Sequence, residues 1–343
     1  MKFRNIVTLA LAATVGLAVQ ADAQDKKPTL TARVVKKAKD GEKAGKLANL
    51  GIVSSTKAGY FTYQKDADTT PEMNIEKTFS TFYVLTPPAL VEAMRTYAAE
   101  DFAAARPALH KVRKQLENWR GIPEGPYLRA YRAELECAVR QLDFAGAAAV
   151  VNEFPGDVDK ILTPQDKVAS NAVKLLAAAT RESGMDPAKI EENVKAVITK
   201  LGKSVTPIQY GWLHFALGAA YQSTIPADQL ASNAIAEEHK VNASKAIDAY
   251  CVAGISSHGA QMELPVEAMK RAQLLLWSMP GVQAEVKAYG QPTPSKFKKA
   301  SQNFQDAVSL AYMLIHVYGV EAADNSTLGK AAKLFQNTKA KKK

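Results

Sequence analysis

A threonine or aspartate followed directly by proline recurs along this chain, at Thr86-Pro87, Thr163-Pro164, Asp186-Pro187, Thr206-Pro207 and Thr293-Pro294. Such a pair is a helix start. The side-chain oxygen accepts from first-turn N–H groups that have no partner, and the proline fills a position that needs no donor. Starts this closely spaced require many short helices in succession. They predict helices over 87–99, 102–119, 126–141, 144–154, 164–183, 187–201, 207–223, 227–238, 242–255, 265–278, 281–289, 294–318 and 327–338. Pro107 lies inside the second of these, where it is expected to kink or delay the helix. Apolar stripes agree with these spans: Val168, Ala172, Leu175, Leu176 and Ala179 share one face, as do Ile190, Val194, Val197, Ile198 and Leu201. Beyond Thr206 the helices are apolar over more of their surface (YGWLHFALGAAY, AQLLLWSM), so the second half is expected to be the more buried.

Ahead of Pro87 the period is two. Leu30, Ala32 and Val34 alternate with Thr31, Arg33 and Val35, Asp40-Gly41 offers a turn, and Ile52-Val53, Tyr60 to Tyr63 and Phe79 to Leu85 continue the β-branched and aromatic character. A few strands with one apolar face are expected there, held by packing on the first helices.

The chain opens with Lys2 and Arg4, an uncharged run from Ile6 to Val19, and Ala21-Asp22-Ala23. Positive start, apolar middle and Ala-x-Ala exit predict a secretory signal peptide cut after Ala23. The run is short of the ~20 residues of a membrane-spanning helix, which disfavours an anchor. The expected address is periplasmic or secreted, with no transmembrane segment after cleavage. The expected organisation is a signal peptide over 1–23, a small β-rich N-terminal element over 24–86, an α-helical repeat domain over 87–338 and a lysine-rich tail over 339–343.

Two segments repeat one another. Ala93 to Ala105 and Leu135 to Ala149 each carry an apolar helical run, an Asp-Phe pair (Asp101-Phe102, Asp143-Phe144) and a burst of alanines. Each ring precedes a small residue by three, Ala105 or Ala147, which suits a helical hairpin with a ring at the turn and a methyl where the helices touch. These Asp-Phe-x-x-Ala pairs resemble the second-helix start of a tetratricopeptide-type repeat, and Leu217-Gly218-x-x-Tyr221 with Trp212 before it resembles the first helix. The first two units lack the leucine-glycine pair, the third lacks the aromatic-alanine start, and Phe102 and Phe144 stand 42 residues apart where the family repeats at about 34. The resemblance implies a mainly α protein, a tetratricopeptide-like α-solenoid of antiparallel hairpins whose concave groove holds a peptide, a partner protein or a glycan, with no catalytic residues.

The net charge of +10 suits a lysine-coated surface or attraction to acidic envelope polymers. Nucleic acid is not an expected partner of an exported chain without glycine-aromatic or zinc-knuckle signatures. Cys137 and Cys251 sit in apolar helical runs far apart in sequence and are expected to be buried free thiols. Of His110, His214, His239, His258 and His316, none forms a His-x-x-x-His or His-Glu-x-x-His pair, so no metal site is expected. His214 and His316 read as hydrogen-bonded core histidines, and His239 after Glu237-Glu238 as an exposed helix end. His258-Gly259 with Ser256 and Ser257 lacks a Gly-x-Ser-x-Gly elbow. Gly121-x-x-x-Gly125 lacks the lysine-serine tail of a phosphate loop. Glu134, Glu136, Glu191 and Glu192 read as helix-surface charges, and Trp119, Tyr127, Tyr131, Tyr210, Trp212 and Tyr221 as packing residues or groove walls. The expected protein is non-enzymatic, with no catalytic, cofactor or metal residues. It is expected to mediate contacts with another envelope protein or peptide; the alternative is a binder of envelope glycan or another anionic polymer.

Overall fold

The computed structural model describes residues 30–38, 45–63, 71–180, 186–256, 261–289 and 294–338. The predicted signal peptide, Asp40-Gly41, Ser257 to Gly259, Thr293 and the lysine-rich tail lie outside them. The chain is mainly helical, with a small antiparallel sheet at its N-terminal end.

Strands β1 (Leu30–Lys36), β2 (Ala48–Ser54), β3 (Tyr60–Tyr63), β4 (Glu72–Asn74) and β5 (Phe79–Val84) pair in the order β4-β3-β2-β1-β5, all antiparallel. One helical turn, α1 (Ile75–Thr78), links β4 to β5. Alternation does what period two requires: Ala32, Val34, Ile52 and Phe61 are buried while Thr31 and Arg33 face outward. The buried face shares a core with Leu90, Leu109, Val112 and Trp119. The loop before Pro126 is sewn to the sheet, with the Gly121 N–H donating to Ser55 O at 2.6 Å and the Trp119 indole N–H to Ile52 O at 3.1 Å. A Cβ on Gly121 would stand 2.4 Å from Lys57 O. Gly121 therefore serves a close approach of loop to sheet, whereas Gly125 meets Ile122 of its own loop, whose Cβ would stand 2.8 Å from an added Cβ.

The helices that follow are α2 (Pro88–Ala98), α3 (Phe102–Gln115), α4 (Pro126–Arg140), α5 (Phe144–Asn152), α6 (Pro164–Ala179), α7 (Pro187–Leu201), α8 (Pro207–Gln222), α9 (Ala227–Ala231), α10 (Lys240–Ser256), α11 (Glu263–Ser278), α12 (Val282–Tyr289), α13 (Pro294–Phe297), α14 (Gln302–His316) and α15 (Thr327–Thr338). The long ones pack chiefly on neighbours in sequence: α2 on α3, α3 on α4, α4 on α5, α5 on α6, α6 on α7 and α8, α8 on α10, α10 on α11, α11 on α14 and α14 on α15. Helix α4 is buried on two sides. Tyr127, Ala130, Ala133 and Cys137 complete the core under the sheet, and Leu128, Tyr131, Leu135 and Ala138 begin the larger helical core.

Local chemistry sets the starts. Thr163 and Thr206 form full capping boxes with Asp166 and Gln209, and the Asp186 carboxylate accepts from the Ala188 N–H at 3.0 Å. Thr86 departs from expectation. The second proline, Pro88, moves the helix start by one residue, so Pro87 takes the cap position and the Thr86 hydroxyl accepts from Arg129 at 2.8 Å instead. Pro107 neither delays nor divides α3, which runs from Phe102 to Gln115. The helix expected over 227–238 stops at Ala231, with Asn233 in the left-handed region at φ 53°. That expected over 294–318 is two helices, because Ser301 caps a new start: its hydroxyl accepts from the Phe304 N–H at 3.3 Å. Among the described residues no helix is long and apolar enough to cross a membrane.

Candidate functional site

Helices α4, α6 and α8 converge around a cavity of about 400 Å³. Tyr131 and Leu135, one turn apart on α4, supply one wall, Asp166 and Ala169 of α6 a second, and Ile208, Gln209 and Trp212 of α8 a third. Tyr131 is 1% and Trp212 5% exposed. Gln261, just before α11, also lines the space, and its amide donates to Glu136 Oε1 at 2.8 Å. Beside it the Arg140 guanidinium donates to Glu263 at 3.0 Å, tying the start of α11 to the end of α4.

The polar groups of this cavity are unevenly satisfied. Arg132 is held from two sides, donating to both oxygens of Glu124 at 2.6 and 2.7 Å and to both of Asp166 at 2.7 and 2.8 Å. That guanidinium holds the Glu124 carboxyl below the usual carboxylate range. At Asp166 burial opposes ionisation, yet Arg132 and Thr163 outweigh it and the carboxyl also lies low. Burial pushes the Tyr131 phenol up to about 12. Trp212 is the unsatisfied member: its indole N–H is buried and has no acceptor among the described residues, a costly arrangement for a donor removed from water.

A smaller hollow of about 220 Å³ lies between α7, α8 and α10. There the Tyr221 hydroxyl donates to Glu191, and the Lys245 ammonium approaches the Tyr221 oxygen at 3.3 Å. Hydrogen bonds from Lys195 and Tyr221 hold the Glu191 carboxyl low. His214 borders the hollow. Burial lowers its proton affinity, its ring packs tilted against Tyr210 with centroids 4.4 Å apart, and neither nitrogen has a hydrogen-bond partner among the described residues. None of the residues lining the hollow carries a serine, threonine or cysteine nucleophile.

Several sequence expectations change here. His214 is not a hydrogen-bonded core histidine, and His316 is exposed, tilted against Tyr312 with ring centroids 4.3 Å apart. His239 sits 3.9 Å from Glu238. Glu134 is no surface charge. It is 2% exposed and accepts from Arg113 at 2.6 Å and, on its other oxygen, lies 2.8 Å from His110 Nδ1, while Arg113 reaches on to Glu153 at 2.7 Å. This network locks α3 to α4 and to the end of α5. Glu136 and Glu191 are half-buried and Glu192 is exposed. Both cysteines are free, but only Cys137 is buried; Cys251 lies on an exposed face of α10. Burial pushes the Cys137 thiol up to about 12. Of the aromatics, Trp119 and Tyr127 serve the core under the sheet, whereas Tyr131 and Trp212 line the cavity. Among the described residues, no three histidine, cysteine, aspartate or glutamate side chains come together as a metal-binding group.

Sequence reasoning missed Arg132, Glu124 and Gln261. Only Asp166 carried a local signal, as the third residue after the Thr163 cap. Arg132 reaches Glu124 across 8 residues and Gln261 reaches Glu136 across 125, separations that hydrophobic periodicity does not report. No family model, no curated protein and no solved structure matches the chain.

Proposed function

We propose that residues 87–338 are a tetratricopeptide-like stack of antiparallel hairpins in an exported protein, and that the stack is a non-enzymatic scaffold mediating protein–protein contact in the cell envelope. The observation that carries this reading is the cavity shared by α4, α6 and α8, every second long helix of the succession, with the aromatic side chains of Tyr131 and Trp212 in its walls. Its volume lies within the ~300–1,000 Å³ of ligand pockets. Gly218 adds support: a Cβ there would stand 2.8 Å from the Tyr250 ring of α10, so the small residue of the Leu217-Gly218 pair makes room for a side chain of the neighbouring helix.

Crosslinking co-purification of the tagged chain from the envelope fraction of its source cell, washed at low and then high salt, tests the proposal. One or two proteins should survive the high-salt wash and be lost with Ala169→Phe, which fills the cavity. Recovery of polysaccharide or lipid alone, released by salt, would overturn it in favour of the second reading, a binder of envelope glycan or another anionic polymer. That reading has its own observation. A groove of about 840 Å³ between α6 and α7 is lined by Lys167, Lys174 and Lys200, which form no ion pair among the described residues.

A further inference from the structure

The groove between α6 and α7 combines cations with an aliphatic floor. Lys167 and Lys174 stand two turns apart on α6, about 10 Å along its axis, and Lys200 lies in the last turn of α7. All three are exposed and line the groove, where Asp159 is the one carboxylate. None of them has an ion-pair partner among the described residues, whereas Lys195 of α7 is held by Glu191 at 2.7 Å. Leu162, Leu175, Val197 and Leu201 supply the floor. Ile190 and Val194 of the α7 stripe are buried, but Val197 and Leu201 on the same stripe remain half-buried where the groove opens.

That combination discriminates among occupants. A purely anionic polymer would satisfy the ammonium groups and leave the aliphatic floor in water. No aromatic ring lines the groove, so a sugar has no flat face to lie on. The chain's own tail, Lys339 to Lys343, brings four lysines and no acidic side chain, and a second copy would bring a surface of net charge +10. Both carry the wrong sign. An acidic amphipathic helix answers both features. On one of its faces residues i and i+7 stand about 10 Å apart, the separation of Lys167 and Lys174, with apolar side chains at i+3 and i+4 between them to cover the floor.

We infer that the groove between α6 and α7 docks a short acidic amphipathic helix of a partner protein, with its carboxylates on Lys167, Lys174 and Lys200 and its apolar side chains against Leu175, Val197 and Leu201. The inference rests on the protein-docking role proposed above and gives it a second surface, which shares no lining residue with the cavity between α4, α6 and α8. The lysines that could serve an anionic polymer serve a protein instead, because the floor between them needs covering.

The test is fluorescence anisotropy of the full chain with a labelled peptide that repeats the heptad Glu-Ala-Gln-Leu-Leu-Ala-Gln. The controls are the same peptide with glutamine for glutamate, the same peptide with serine for leucine, and inorganic polyphosphate as an unlabelled competitor. The parent peptide should bind saturably, and each replaced peptide about tenfold more weakly. The double variant Lys174→Gln, Lys200→Gln should weaken the parent peptide about tenfold with unchanged circular dichroism, since both lysines are exposed, whereas Lys298→Gln, an exposed lysine outside the groove, should leave binding as it is. If the serine peptide binds as well as the parent and polyphosphate displaces both, the groove is a site for an anionic polymer and the inference is overturned. If no peptide binds, or the double variant leaves binding unchanged, the assignment of this groove falls, while the docking role of the α4–α6–α8 cavity is decided separately by Ala169→Phe in the co-purification.

Discussion

Two turns of this molecule are built from one pattern and finished differently. After α2 the chain passes through Glu100 at φ 61° to Asp101, whose carboxylate accepts from the Ala104 N–H at 3.1 Å. After α4 it passes through Leu142 at φ 57° to Asp143, whose carboxylate accepts from the Gly146 N–H at 2.8 Å. In both, the left-handed residue ends one helix, aspartate caps the next, and the small residue behind the phenylalanine, Ala105 or Ala147, is fully buried. The first turn sits at the rim, where Asp101 is exposed and forms no ion pair among the described residues; Phe102 packs edge-on against Tyr97 and under Arg140 at 4.4 Å. The second is locked. Arg106, from the first hairpin, donates to Asp143 at 2.7 Å and to Gln141 at 3.3 Å, and Phe144 packs on Phe215 of α8 at 5.5 Å. Sequence similarity here specifies a turn; its weight in the fold depends on whether a neighbouring helix reaches it.

The largest break in the comparison should come from the caps. Asp143→Ala should cost up to about 2 kcal/mol and Asp101→Ala roughly half that, measured by urea denaturation followed by tryptophan fluorescence. Both residues cap a helix, so the difference reports what the second turn has in addition, the Arg106 clamp, whose share is reduced because the pair is partly exposed and screened. Equal losses would show that the Arg106 clamp adds nothing.

Acid should erase the same contribution. Burial at Asp143 opposes ionisation, but Arg106 and the Gly146 N–H outweigh it and hold the folded carboxyl below its ordinary value. A group depressed on folding stabilises above its unfolded pKa, about 3.9 for aspartate, and loses that contribution as pH falls through the folded value. Between about pH 5 and pH 2.5 the wild type should lose more stability than Asp143→Asn. A variant curve parallel to the wild type would contradict this.

Gly146→Ala should destabilise by about 1 kcal/mol even though alanine is the better helix former. An added Cβ would stand 2.1 Å from both Arg106 Nη2 and Asp143 Oδ2, so the pair must open. The same position in the first turn already holds Ala104, with no such pair beside it. Stabilisation by Gly146→Ala would remove the steric argument. The smallest effect is expected at the left-handed residues. Glu100→Gly should stabilise by about 0.5 kcal/mol, since glycine adopts that conformation freely and the glutamate is exposed. Leu142→Gly should not, because Leu142 packs against the helical core.

How far the chain is legible follows from the same distinction. The starts at Phe144, Pro164, Pro187 and Pro207 could be read directly, because a cap and the N–H group it serves lie within three residues of each other. Short breaks are less legible. Ser232-Asn233 and Ser301 interrupt long apolar runs, and periodicity spoke for continuity on both sides. Charges are the least legible from sequence. Glu134 shows the spacing of a helix-surface residue, but Arg113 lies across the α3–α4 contact and draws it inside. For Trp212 the sequence leaves packing residue and groove wall open, and the structure places it 5% exposed in the wall of the α4–α6–α8 cavity.

By itself the sequence determined the kinds of element and most of their ends, because capping, left-handed turns and hydrophobic stripes are settled by residues within a turn of one another. Only the tertiary structure decided which carboxylates are buried, that Arg132 is spent on Glu124 and Asp166, and that the Trp212 donor is left without an acceptor. Those outcomes depend on which helix faces face each other across tens of residues of chain, and a buried charge or donor takes its meaning from the partner it meets there.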